Sequence, residues 1–347
     1  MKFINLQTFR YQSPLRVPFV NSQFTYSETN GIIIKLCIDG YCGFGEASPL
    51  ANFSKESIRE ILWGLEEIKL GLDTSIEYDK EELFAIFKLY SVKCPTLNFA
   101  LDMALLDILA QKQNKSIAKY LSVNASDSIR LTSAYKNPIP GTSVKVKISG
   151  KNIIDEIKSF KIKTKNFPVN IKYRFDFNQS ASIENIIYME KELQNYNIEY
   201  IEEPLNAEAD MKEYEELKKN IKTPLAIDES IIYNSKKKLY WHFEGLANSG
   251  IIQYAVIKSS LLGDVKKVMR LIDFFVERNI KVIISSSLQS KIGNMANIHI
   301  ASILSHNQCH GLNNYHFFDY QYAMPYEEND SIVNIDHVKG LGVIWDD

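Results

Sequence analysis

Signals for secretion, membrane insertion and nucleic-acid binding are all missing from this sequence. Its 347 residues include four cysteines, Cys37, Cys42, Cys94 and Cys309, with neither a Cys-x-x-Cys pair nor zinc-like spacing. Disulfide frameworks belong chiefly to small chains that cannot build an adequate core, so these four read as reduced thiols in the interior. The charge is balanced, with 40 Lys and Arg against 42 Asp and Glu, a net charge of -2 and a pI near 6.4. No field of one sign is available to attract nucleic acid or an anionic membrane. The opening Met1-Lys-Phe-Ile-Asn-Leu has no apolar export core, and no run approaches a membrane span. A cytoplasmic protein acting on a small molecule is expected, as monomer or homo-oligomer. No internal repeat or low-complexity tract interrupts the chain.

At 45% hydrophobic residues, a chain of this length can bury one large barrel or two ordinary domains. The first part reads as α+β. Strands are expected near 2–11 and 31–39, joined by a loop over 14–30, and the second turns at Asp39-Gly40 into 41–44. Helical periodicity follows at 54–70, with Ser54 as N-cap, then at 79–90 and 96–113. From about Ile129 the pattern becomes apolar strands alternating with amphipathic helices. Strands are expected at 129–134, 143–149, 169–175, 198–202, 225–228, 252–257, 281–285 and 308–312. Helices are expected at 152–164, 182–196, 209–220, 235–247, 263–278 and 289–305. This rhythm predicts a parallel (β/α) barrel, whose active site lies at the C-terminal strand ends. One joint does not fit: the stretch holding Pro138, Pro140 and Gly141 is shorter than the at least about 10–12 residues a crossover takes, so either the first strand or its helix is misassigned or degenerate.

Charged residues close several of these strands. Lys145 and Lys147 lie two apart and share one strand face. Asp176, Glu202 and Asp228 each end an apolar run, at intervals of 26 residues, the length of one strand-plus-helix unit. Any one of them alone reads as a helix cap or a solvated acid. On adjacent strands about 4.8 Å apart they can converge on one cation, and three carboxylates favour Mg2+ or Mn2+ over zinc or copper. Lys258 ends the sixth strand, across the mouth from the lysine pair. A divalent cation between amines suits removal of a proton α to a carboxylate, where the developing charge needs stabilising.

These residues, in this order, resemble the enolase superfamily and its muconate-lactonizing subgroup. The segments are Lys145-Val-Lys147, Phe175-Asp176-Phe-Asn178, Ile201-Glu202-Glu203-Pro204, Ile227-Asp228-Glu229-Ser230 and Ile257-Lys258. Gly43-Phe-Gly-Glu-Ala-Ser-Pro-Leu50 and Ala100-Leu-Asp-Met-Ala-Leu-Leu-Asp107 are similar to that family's capping domain. The resemblance implies a modified TIM-type (β/α)7β barrel over 126–314, an α+β capping domain over 1–125, and a C-terminal segment, 315–347, packing back on the cap. It implies Asp176, Glu202 and Asp228 as metal ligands, in preference to Glu203 and Glu229. The run Ser285-Ser286-Ser287-Leu-Gln-Ser290 and His310-Gly311-Leu312 are similar to the o-succinylbenzoate synthases of that subgroup.

From that similarity follows the reaction: dehydration of 2-succinyl-6-hydroxy-2,4-cyclohexadiene-1-carboxylate to o-succinylbenzoate, in menaquinone synthesis. Lys147 is then the base and Lys258 the stabilising cation, with Lys145, Ser285, Ser286 and Arg16 in contact with substrate. Gln289 and Asn313 depart from the glutamate and aspartate common in the family. The alternatives are an N-succinylamino acid racemase or dipeptide epimerase, muconate-type lactonisation, and a non-catalytic barrel. A dipeptide epimerase is expected to carry an acidic pair where this chain reads His310-Gly-Leu-Asn-Asn314.

Overall fold

Alternation of buried and exposed side chains builds the first sheet. The computed structural model describes residues 1–20, 24–73, 75–232, 242–304, 307–314, 317–319 and 330–345. Strand β1 (Phe3–Val20) runs antiparallel to β2 (Thr25–Ile38), which pairs with β3 (Tyr41–Ala47). The loop expected over 14–30 is mostly strand. Tyr11, Ser13 and Leu15 are buried while Gln12, Pro14 and Arg16 are exposed, a period-two pattern that continues the sheet. The register slips between Phe3 and Asn5 and again between Pro14 and Phe19, the second slip at a proline that has no N–H to offer the ladder.

The turn at Asp39-Gly40 is as expected, with φ of 52° and 82°, the left-handed pair of a tight hairpin. It sets Cys37 opposite Cys42 with their Cα atoms 4.1 Å apart, and the two form a disulfide. The expectation of four reduced thiols is corrected: Cys94 and Cys309 alone are free, both buried. Hairpin pairing, which cysteine spacing does not report, brought the other two together.

Helix α1 (Ile58–Gly71) starts later than expected. Its N-cap is Ser57, in a capping box with Glu60, while Ser54 Oγ accepts from Leu50 N–H at 2.9 Å. Helices α2 (Lys80–Ser91, capped by Asp79), α3 (Pro95–Lys112) and α4 (Ile117–Leu121) follow. α3 is buried on all sides from Thr96 to Ala110. Strand β3 lies so close to it that a Cβ on Gly43 or Gly45 would sit 2.1 or 1.8 Å from the carbonyl oxygens of Ala104 and Ala100. Only glycine permits that approach.

The second unit is a barrel. Strands β4 (Ser128–Leu131), β5 (Ser143–Lys147), β6 (Lys172–Asp176), β7 (Ile198–Glu202), β8 (Leu225–Ile227), β9 (Tyr254–Ile257), β10 (Lys281–Ile284) and β11 (Cys309–His310) succeed one another. β5 to β10 form one parallel sheet in chain order. A Ser285–Gly311 bridge joins β10 to β11, β11 pairs parallel with β4, and Ser133 N–H donates to Ser143 O to return to β5.

Between them run α5 (Ile153–Thr164), α6 (Ile183–Glu192), α7 (Met211–Asn220), α8 (Glu229–Ile232), α9 (His242–Asn248), α10 (Val265–Val276) and α11 (Lys291–Ala301). Much of the helix expected at 235–247 lies outside the described residues. The short first joint holds turns and no helix, as the prolines and Gly141, at φ 76°, dictate. Val144, Phe175, Ile201 and Ile227 face the helices, whereas Tyr200, Ala226, Tyr254, Val256 and Ile283 fill the interior. Strand β12 (Ile332–Asn334) pairs antiparallel with β4, and beyond it Gly340 and Leu341 hydrogen-bond to Lys115, Ile117 and Asp107. No described helix is long and apolar enough to cross a membrane.

Candidate active site

The period of two that sends Tyr200, Ala226 and Val256 inward also sends Glu202, Asp228 and Lys258 inward, at the C-terminal ends of their strands. Lys145, Lys147 and Asp176 follow from the opposite phase of Val144, Val146 and Phe175. Sequence alternation therefore gathers all six at the barrel mouth.

Lys145 Nζ lies 2.8 Å from both Asp176 Oδ2 and Glu202 Oε1. Burial disfavours its charge, but Asp176, Glu202 and Asp228 outweigh that and raise its pKa well above the usual lysine value. Lys258 Nζ ion-pairs with Asp228 Oδ2; burial again opposes its charge, and Asp228 with Glu229 raises its pKa. Lys147 differs. It makes no ion pair among the described residues, and its Nζ sits 3.6 Å from the ring centroid of Phe19. It reaches solvent through the mouth, yet crowding removes enough water to lower its pKa to about 8, with Lys145 and Lys258 contributing and Asp176 opposing.

Among the carboxylates, burial pushes Glu202 up to about 8 against the pull of Lys145. For Asp176, Lys145 and Lys147 overcome burial and lower the pKa. Each of Asp176, Glu202 and Asp228 keeps a buried oxygen without a hydrogen-bond partner: Oδ2, Oε2 and Oδ1 respectively. The Asp176 atom is the one that ion-pairs with Lys145 at 2.8 Å. No three acidic, histidine or cysteine side chains among the described residues are drawn into a finished cation cage; the ammonium groups of Lys145 and Lys258 stand among them. Buried acceptors that protein donors do not satisfy are the donor set a hard divalent cation takes.

Glu203 turns away. Its backbone is left-handed at φ 40°, and its carboxylate accepts from Asp228 N–H, Ser230 N–H, Ser230 Oγ and Gln179 Nε2 at 2.7–3.1 Å. Glu229 is a member of the buried cluster that strand reasoning set aside. It opens α8, accepts from Asn178 Nδ2 at 2.8 Å, and leaves Oε2 without a partner. Asn178 thus steadies the site by gripping Glu229. Phe19 and Phe53, whose ring centroid is 5.5 Å from Lys258 Nζ, escaped attention because aromatic residues outside the barrel carry no mark of where they will land.

Arg16 is not drawn into the cluster. Alternation puts it on the exposed face of β1, where it pairs with Asp319 at 3.2 Å. Part of the segment expected to cover the mouth, 21–23, lies outside the described residues. Ser285 continues the inward phase of Ile283, and a Cβ on Gly311 would come within 3.0 Å of its Oγ. Ser286 is half-buried and accepts from Asn314 Nδ2 at 3.2 Å. The serine-rich loop is fastened from the cap by buried Glu46, which accepts from Ser290 N–H, Ser290 Oγ, Gly293 N–H and Tyr11 Oη. Thr29 Oγ1 adds a bond to Leu288 O at 3.0 Å.

Comparison with known proteins follows this geometry. Residues 140–347 match the family model described as enolase C-terminal domain-like, and residues 3–108 match the MenC N-terminal domain. The chain is 27% identical over 248 residues to an L-Ala-D/L-Glu epimerase of Francisella tularensis subsp. novicida, covering 66% of this chain and 69% of that one. It is 24% identical over 352 residues to an o-succinylbenzoate synthase of Aliivibrio salmonicida, covering 97% and 98%. In fold it is similar to a dipeptide epimerase of Enterococcus faecalis solved with Mg and L-Leu-L-Tyr, with a TM-score of 0.82, 18% identity and 99% of both chains covered.

Proposed function

Since the chain belongs to the enolase superfamily, we propose that it dehydrates 2-succinyl-6-hydroxy-2,4-cyclohexadiene-1-carboxylate to o-succinylbenzoate. The observation that carries this reading is the inequality of the two facing lysines. Among the described residues Lys147 forms no ion pair and its Nζ lies over the ring of Phe19, whereas Lys258 is ion-paired with Asp228. An amine without a counter-ion can accept a proton, and a lysine held by a carboxylate remains an ammonium group. One base and one fixed cation suit an elimination with a single proton acceptor. A racemase or epimerase needs two lysines able to exchange roles. The match of residues 3–108 to the MenC N-terminal domain adds support.

In this mechanism the Lys147 amine takes the proton α to the substrate carboxylate. The electron pair of the broken C–H bond enters the enediolate, which the Lys258 ammonium stabilises. The electrons then return to the ring as the neighbouring C–O bond breaks. The proton held by Lys147 leaves with the hydroxide as water. Aromatisation supplies driving force, so positioning and charge account for much of the catalysis.

Asp176, Glu202 and Asp228 would hold Mg2+, or Mn2+ in its place, with Glu229 behind them; their unpartnered oxygens fit such an ion. Bound there, the ion supplies fixed positive charge beside the substrate carboxylate. Lys145 neutralises Asp176 and Glu202 at the edge of the site. Ser285 and Ser286 are assigned to the succinyl arm. Arg16, expected to meet a substrate carboxylate, would have to exchange its pairing with Asp319 to do so. The division into cap 1–125, barrel 126–314 and returning segment 315–347, and the cytoplasmic setting, belong to the same proposal.

The test is direct. Purified protein with Mg2+ is given the cyclohexadiene substrate and, separately, N-succinylamino acids and dipeptides. Ultraviolet absorbance follows aromatisation, and polarimetry follows epimerisation. Aromatisation with negligible change of optical rotation is expected. The reverse outcome would replace dehydration by N-succinylamino acid racemisation or dipeptide epimerisation, the activity named for the Francisella relative.

A further inference from the structure

We infer that the outer face of helices α1 and α2 in the cap is a docking surface for a second copy of this chain, centred on Trp63. The inference stands apart from the reaction proposed above.

Helix phase collects exposed apolar side chains on this face. Ile61, Gly64, Leu65 and Ile68 bury one side of α1 in the cap core. A Cβ on Gly64 would come within 3.3 Å of Tyr90 O, and one on Gly71 within 2.8 Å of Tyr90 Oη, so these two glycines mark the side of α1 that touches α2. Trp63 and Leu70 each precede one of them, seven residues apart, and therefore share the outward stripe beside α2. They are 69% and 82% exposed. On α2, Leu83 and Phe87 are buried, while Leu89 and Val92 are 68% and 70% exposed. Large apolar side chains bared singly are ordinary, but four on two neighbouring helices make a patch of the kind that marks an interaction surface. Tryptophan at its centre is among the residue types that most often anchor an interface.

Charge identifies the occupant. Arg59, Trp63 and Glu67 form one row at i, i+4 and i+8. All three are exposed, and neither Arg59 nor Glu67 has an ion pair among the described residues; Glu67 Oε1 accepts from Trp63 Nε1 at 3.2 Å. A two-fold axis at Trp63 sets a second α1 antiparallel across the first, with indole against indole. Arg59 of each copy then stands opposite Glu67 of the other, about 6 Å along the helix on either side of the axis. The row is thus its own complement, which a two-fold contact requires and an unrelated partner does not. Glu60, Glu66 and Glu67 on the same helix disfavour an anionic lipid surface.

Sedimentation velocity on the purified full chain, over a range of concentrations, tests this. The wild type is expected to be dimeric at about 10 μM and above, since an interface of standard size gives micromolar or tighter affinity. Trp63→Glu should weaken association about thirtyfold or more. Arg59→Glu and Glu67→Arg should each weaken it about tenfold, because like charges then meet at both ends of the row. Mixed in equal amounts, those two variants should associate as the wild type does, since each meets the opposite charge at both places. Circular dichroism and melting temperature are expected to change little, all three side chains being exposed. If Trp63→Glu does not fold, the charge mixture decides alone. A wild type that stays monomeric, a Trp63→Glu protein that stays dimeric, or a mixture no tighter than its components would each overturn the inference. A monomer that sediments with phosphatidylglycerol vesicles would give the face to a membrane and overturn it as well.

Discussion

Two buried charge clusters stand on the same strands of the barrel, and they differ in kind. Deeper in the barrel, Arg174 Nε donates to Glu199 Oε2 at 2.7 Å and Ser143 Oγ donates to the same oxygen at 2.6 Å. One cation meets one anion, with Nη2 of the arginine left buried without a hydrogen-bond partner. Glu199 lies where the β6–β7 register slips, between residues paired with Tyr173 and Arg174, and such a bulge re-aims a side chain. Nearer the mouth, Asp176, Glu202, Asp228 and Glu229 crowd three lysines, and Glu202, Asp228 and Glu229 each retain an oxygen without a hydrogen-bond partner. A matched pair closes on itself and stiffens the barrel. Surplus anion with unused acceptors is a place where something else binds.

The sharpest way to break this contrast is Lys147→Ala. Loss of the base is expected to lower turnover by roughly 10²–10⁴-fold with the melting temperature little changed, because burial already disfavours the charge on this amine. Wild-type-like turnover would remove Lys147 from the mechanism. Glu199→Ala should do the opposite. Leaving Arg174 buried and unpaired is expected to cost about 3–5 kcal/mol of stability, read as a lowered denaturation midpoint; a fully stable variant would show that the inner pair is no staple.

Divalent cation probes the surplus acceptors next. Mg2+ at about 100 times its Kd should stabilise the wild type by about 2.7 kcal/mol in a thermal titration. Asp176→Asn should abolish this response, and a chelator should remove activity reversibly. Equal stabilisation of both proteins would place the ion elsewhere.

Acidity offers a finer separation. With Lys147 near 8, kcat/KM should climb about tenfold per pH unit below that value and level above it, and a flat profile between pH 6 and 9 would argue for another base. Away from the mouth, burial raises Asp102 to about 7, with Asp264 adding and the Val265 N–H opposing. A carboxyl raised on folding gives stability that is fully present below its unfolded value of about 3.9. That stability is lost as pH rises through about 7. Asp102→Asn should therefore gain on the wild type in melting temperature between pH 5 and 8. The smallest effect concerns the hairpin: thiol titration of denatured, unreduced protein should find two reactive cysteines, and four would return Cys37 and Cys42 to the reduced state.

Much of the mouth was legible in advance because it depends on local periodicity. Lys145 and Lys147, Asp176, Glu202, Asp228 and Lys258 occupy strand ends, and alternation decides which way they point. What escaped was whatever depended on a partner distant in sequence. Phe19 reaches Lys147, Glu46 reaches Ser290, and Arg174 finds Glu199 through a bulge that no residue pattern announces. Pro14 gives the long hairpin arm the look of a loop, although the alternation from Tyr11 to Leu15 continues through the proline.

Sequence by itself determined the strand and helix rhythm, the inward phase of the charged residues and the irregularity of the first joint, all consequences of steric and periodic rules acting over a few residues. Tertiary structure alone decided which lysine would be held by a carboxylate and which would rest against an aromatic ring. It also decided which carboxylate oxygens would go unpaired and which cysteines would meet. Those outcomes depend on packing and desolvation between segments tens to hundreds of residues apart, where the local chemistry of the chain has no vote.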